Sequence, residues 1–147
     1  MADPAEALQR AVFAALRSST ELADAMGGVA RVYDSVPPPD PNEPEAEYRQ
    51  RVRMPYLVIG DDEFVDDSTT CERAWEANVT VHIWSRADGR VEAKRIGAIV
   101  RELLDAALTI DGFICTEHEF RDATYPKDPD GVTTHGVVQH RYLIDPA

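Results

Sequence analysis

Lysine is nearly missing from this chain: of 15 basic residues only Lys94 and Lys127 are lysine, and the rest are arginine. Few flexible ammonium groups are left for phosphate contacts. Cysteine is scarce as well. Cys71 and Cys115 lie far apart with no CxxC, which predicts reduced thiols in a protein made in a cytoplasm. No apolar run approaches the ~20 residues that a membrane helix requires. The start, Met1-Ala2-Asp3-Pro4, has no basic leader and no continuous apolar stretch, so no signal peptide is expected. Positive charge is in deficit, with 27 acids against 15 bases and a formal net charge of -12. That argues against a general nucleic-acid binder, which needs a cationic face. It also argues against docking on an anionic membrane.

What is present reads as one folded domain over residues 1–147, since 147 residues can bury a core without metal or disulfide. Hydrophobic residues make up 44% of the chain, and they are patterned, which excludes disorder. The acids fall evenly along the sequence. The charge therefore belongs to a folded surface and not to an acidic tail.

Asp3 is a plausible cap with Pro4 at the first helical position and Glu6 in the first turn. Leu8, Val12, Ala15 and Leu16 follow at helical spacing. Thr20 is expected to cap a short second turn that ends at Gly27-Gly28. Val29 to Asp34 reads as a short extended piece. The prolines at 37, 38, 39, 41 and 44 exclude helix and central strand there. Residues of about 35–53 form an acidic, proline-rich loop insert, in which Glu45 to Arg53 could make a helical turn. Pro55 to Gly60 is a strand that continues to Val65 and returns as Trp75 to Trp84. In that return Ala77, Val79, Val81 and Ile83 share one face, while Glu76, Asn78, Thr80, His82 and Trp84 share the other. Arg90 to Ala107 reads as a second helix, with Ile96, Ile99, Val100, Leu103 and Leu104 as its apolar stripe. Phe113 to Tyr125 and Val132 to Ile144 complete the set, joined by the turn Asp128-Pro129-Asp130-Gly131. The expected fold is α+β: a two-layer sandwich of order α-β-β-α-β-β, with an antiparallel four-stranded sheet and two helices on one face.

Asp61, Asp62, Glu63, Asp66 and Asp67 form the densest acid cluster. Oxygen-rich clusters bind Ca²⁺ or Mg²⁺, but the EF-hand spacing is absent, and adjacent residues of a strand point to opposite faces. A solvated hairpin tip is the simpler reading. His82, His118, His135 and His140 form no HxH, HExxH or HxxxH, and His135 and His140 should face opposite ways. No GxSxG, phosphate loop or catalytic cysteine setting occurs. No catalytic, metal or cofactor residues are assigned. Trp84 and His82 fall on the sheet face away from the helices, where a Trp commonly desolvates a large rigid area against a partner. The alternative is a sheet-end Trp folded over by the loop at Arg86. His82, Trp84, Arg86 and Tyr56 are the candidate interface residues.

Four segments then carry a likeness. They are Val32-Tyr33-Asp34, Pro55 to Asp61, Val81-His82-Ile83-Trp84-Ser85-Arg86 running through Gly89 to Ile96, and Asp128 to Val137. Together they resemble the small tail-completion or tail-terminator proteins of long-tailed phages and gene transfer agents, over nearly the whole chain. The departure is the insert, where family members have a shorter link. The resemblance implies a structural virion protein, not an enzyme, made in the host bacterial cytoplasm and placed at the head–tail junction. It implies a homo-oligomer, a hexameric ring that caps the head-proximal end of the tail tube, ends polymerisation and meets the head–tail connector. DNA would pass through without specific binding, and an acidic wall suits such a conduit. Two other readings stand beside it: a divalent-metal-dependent enzyme on the Asp61 to Asp67 cluster, and an acidic regulatory or antitoxin-like module that binds a basic partner.

Overall fold

The structure is a computed structural model that describes residues 2–147; Met1, part of the N-terminal reading above, lies outside them. α1 (Ala5–Arg17) starts where Asp3 accepts the Ala5 N–H at 2.8 Å. It buries Leu8, Val12 and Leu16 along one stripe. α2 (Thr20–Ala25) is capped by Ser19, not by Thr20, because the Ser19 hydroxyl accepts the Leu22 N–H at 3.1 Å. The chain leaves α2 through Gly27 and Gly28, both at positive φ.

β1 (Val32–Tyr33), α3 (Glu45–Arg51), β2 (Tyr56–Ile59), β3 (Glu63–Asp66), β4 (Trp75–Ser85), α4 (Val91–Leu104), β5 (Phe113–Thr124) and β6 (Thr134–Pro146) follow. The sheet order is β1-β2-β4-β6-β5, with β3 also paired to β4. The α+β class and the helix-covered face agree with the sequence. Strand and helix numbers do not: among the described residues there are six strands and four helices, and β1 pairs with β2 in parallel. Two residues of β1 are too few to show a period. The insert adds α3, which buries none of its own residues.

β2 and β3 are one strand interrupted by a bulge. Ile59 lies opposite Val81 and Glu63 opposite Asn78, so three residues face two. Asp61 takes φ 57° there, and the Thr80 N–H donates to Asp62 Oδ1 at 3.3 Å. The extra residue reverses the alternation. Leu57 and Ile59 face the helices before it, and Phe64, opposite Ala77, does so after it. Two further bulges, between Cys115 and Glu117 and between Phe120 and Asp122, scramble the alternation of β5 in the same way.

α4 packs on β4 and β6, and α1 and α2 pack on α4. Ala93, Ile96, Ile99, Val100 and Leu104 of α4 meet Ala77, Val79, Val81, Ile83, Val138, Tyr142 and Ile144 in one core. Burial of side chains this size stabilises by roughly 1.5–3 kcal/mol each. Gly97 makes room for Tyr125: a Cβ there would come within 1.9 Å of the Tyr125 hydroxyl, so the ring as placed crosses α4 at its one side-chain-free position.

Candidate assembly interface

The sheet face turned away from α1, α2 and α4 has two halves. Tyr33, Tyr56, Trp84, His135 and His82 form an aromatic row on one. Tyr33 and Tyr56 meet edge to face with centroids 5.5 Å apart. Trp84 stacks on His135 at 3.9 Å and 12° between planes, because register puts the two opposite each other on β4 and β6. His135 Nε2 lies 2.7 Å from His82 Nδ1, and His82 Nε2 lies 3.6 Å from Asp61 Oδ2. Burial, helped by the neighbouring His82, lowers the His135 pKa.

The other half is ionic. Arg141 reaches Glu76 at 3.2 Å, Glu117 at 3.3 Å and Glu119 at 3.7 Å. Its hydrogen bond to Glu76 lowers the Glu76 pKa and raises that of the guanidinium. One cation thus ties β4, β5 and β6 across the face.

The four candidate residues lie near one end of the sheet but are not equally accessible. Trp84 is half-buried under its stack with His135. His82 keeps 18% of its side chain exposed. Tyr56 is only 8% exposed. It lines a cavity of about 370 Å³ with Tyr48, Val52 and Arg86, so little of its ring is left for a partner, and burial raises its pKa. Arg86 donates to the Thr133 hydroxyl at 3.1 Å and lies 3.5 Å from Asp130. It is held by the β5–β6 turn.

That turn also fixes the join between β4 and α4. Asp130 accepts the Val132 N–H at 2.9 Å, and the Thr133 N–H at 2.8 Å and hydroxyl at 2.7 Å, which hold its pKa down at about 2. Lys127 donates to the Gly89 carbonyl at 3.0 Å, as does the Thr134 hydroxyl at 3.1 Å. Ser85 donates to Glu92 at 2.8 Å, linking the end of β4 to the first turn of α4.

The acids Asp61 to Asp67 do not converge. Asp62 faces Thr80, Glu63 accepts from Asn78, and Asp66 accepts the Ser68 N–H. Among the described residues no group of three His, Cys, Asp or Glu is placed to hold a metal ion, and no helix is long and apolar enough to cross a membrane. His135 and His140 do face opposite ways, but the contact of His135 with both His82 and Trp84 was not foreseen, since only the β4–β6 register brings them together. The Arg141 network was missed for the same reason.

Residues 10–145 match the family model described as tail completion protein gp17. The tail completion protein gp17 of Bacillus phage SPP1 is 32% identical over 92 residues, which are 62% of this chain and 68% of that protein. The solved structure of SPP1 gp17 superposes with a TM-score of 0.56 at 26% identity, over 93% of this chain and 88% of that one. A chain from the virion of a native gene transfer agent particle has the same fold, with a TM-score of 0.81 at 24% identity and 99% of both chains covered.

Proposed function

The chain belongs to the tail completion protein gp17 family, and from that premise we propose that it acts as a tail terminator. Six copies form a ring on the head-proximal end of a tail tube. The ring ends tube polymerisation and offers its other side to the head–tail connector. DNA passes through the hole without being held, because carboxylates repel the phosphate backbone. The protein is made in the bacterial cytoplasm and ends in the particle. Its role is structural, and no bond of a substrate is made or broken.

The observation that carries this reading is the family match over residues 10–145, which runs through every element from within α1 to β6. The charge balance of -12 supports a passage that DNA does not adhere to. The experiment is deletion of the gene in a producing strain, followed by negative-stain imaging. Filled heads separated from tails, with tails of uncontrolled length, are expected. Restoring the gene should restore joined particles of uniform tail length. Normal particles without the gene would reject the proposal.

A further inference from the structure

A wide groove lies away from the aromatic row, between the outer side of α4 and the edge strand β5. It holds about 930 Å³. Ala98, Phe120, Ala123 and Tyr125 supply an apolar floor, and Lys94, Arg95 and Arg101 stand around it. Tyr125 completes that floor because Gly97 lets its ring lie against the helix. Arg101 covers the Phe120 ring at 3.9 Å. Among the described residues none of the three cations pairs with a carboxylate within 4.0 Å. Glu21 and Glu102 also border the groove, which leaves the cations in excess there. In a chain with 27 acids and 15 bases this concentration of unpaired positive charge is local.

The opposite edge of the sheet carries the complement. β3 lies across β4 and β6 from β5, about 14 Å away at the usual strand spacing. Asp61, Asp62, Glu63, Asp66 and Asp67 run along it, and none pairs with Lys or Arg within 4.0 Å among the described residues. Val65 sits among them with 44% of its surface exposed. So one edge offers an apolar residue flanked by carboxylates, and the other an apolar floor flanked by cations. Two different, complementary patches on opposite edges of one subunit make a head-to-tail contact, which closes into a ring when the rotation per step allows it.

We propose that the groove between α4 and β5 receives the acidic β3 edge of a second copy of this chain, with Val65 seated on the Ala98 side of the floor. This rests on the ring reading and names the contact between neighbours. Burial of Val65 supplies the apolar part of the contact. The flanking charges supply register and exclude the reversed, like-charged pairing.

The test is made in particles from the producing strain, with Cys71→Ser and Cys115→Ser as background so that only introduced thiols react. Val65→Cys and Ala98→Cys on one chain should give, on mild oxidation, a ladder of covalent multimers ending at the ring size. Either substitution alone should give none. Separately, Lys94→Glu with Arg95→Glu should reduce incorporation at least tenfold, and Asp66→Arg with Asp67→Arg in the same chain should restore most of it. Both pairs are exposed, and unchanged thermal unfolding of the purified variants checks that they fold. Rings on joined particles with no Val65–Ala98 disulfide overturn the groove assignment alone. An Ala98→Cys chain that cross-links to a different tail protein overturns it too. Particles whose tails lack this chain overturn the ring reading and this inference with it.

Discussion

At the level of single residues, His140 is the least comfortable group in the protein. It is fully buried, beside Phe120 and Tyr142, and neither ring nitrogen has a hydrogen-bond partner among the described residues. Burial pushes its pKa down from 6.5 to about 4. The unfolded chain therefore takes up a proton as pH falls through 6.5, while the folded chain resists until about 4. Stability contributed by neutral His140 is complete above pH 6.5 and is lost across that window, up to roughly 3 kcal/mol. His140→Leu removes the titration. Urea unfolding at pH 7 and pH 4.5 should show a smaller acid loss in the variant than in the parent; equal losses would assign the acid sensitivity to other groups. Tyr142 is a buried polar residue with the opposite arrangement, since its hydroxyl donates to the Leu104 carbonyl at the end of α4. Tyr142→Phe leaves that carbonyl unpaired and should cost about 1–3 kcal/mol in the same assay at neutral pH, with the circular dichroism spectrum unchanged.

At the level of elements, the insert shows best what sequence could and could not disclose. Its prolines exclude regular structure from Pro37 to Pro44, and that part is irregular as expected. Nothing in the pattern reveals that Arg51 organises it. Arg51 donates to Glu43 at 2.8 and 3.0 Å and to the Pro38 carbonyl at 3.2 Å, while the Tyr48 hydroxyl donates to the Pro37 carbonyl at 2.8 Å. The arginine keeps 41% of its side chain exposed, so its gain is in order more than in global stability. Arg51→Ala should leave the melting temperature nearly unchanged and speed protease cleavage and amide exchange between Asp40 and Glu47 at least several-fold. Unchanged exchange there would mean that the prolines alone set the shape. β4 and α4 were legible because an unbroken run of alternate residues, Ala77 to Ile83, or of helically spaced ones, Ile96 to Leu104, reports burial directly. β3 and β5 were legible as strands, but the side chains they turn inward were not, because a bulge of one residue reverses the alternation and leaves no mark in composition. The aromatic row was half legible for a related reason: alternation put His82 and Trp84 on the outer face, but only pairing across strands adds His135.

At the level of the whole molecule, the proposed ring depends on surfaces that a single copy leaves open, and these are of two kinds. The two sheet edges differ in charge and suit neighbours of the same kind. The outer sheet face carries Trp84 already stacked on His135 in the single copy. A preorganised aromatic loses little side-chain freedom on binding, so most of its buried area counts toward association. Arg86, pinned to Asp130, limits movement at the same end of the face. Trp84→Ala should therefore separate folding from assembly. The fold keeps its core, because Trp84 lies on the side of β4 opposite Val81 and Ile83, and the loss of the His135 stack should cost about 0.5–1.5 kcal/mol beyond the lost area. Incorporation into particles, measured by quantitative blotting of purified virions, should fall at least tenfold relative to soluble protein. His135→Ala should give a weaker form of the same defect, since it frees the indole without removing it. If Trp84→Ala enters particles at the parental level, the aromatic half of the face is not an assembly surface, and the charged edges alone must hold the chain in place.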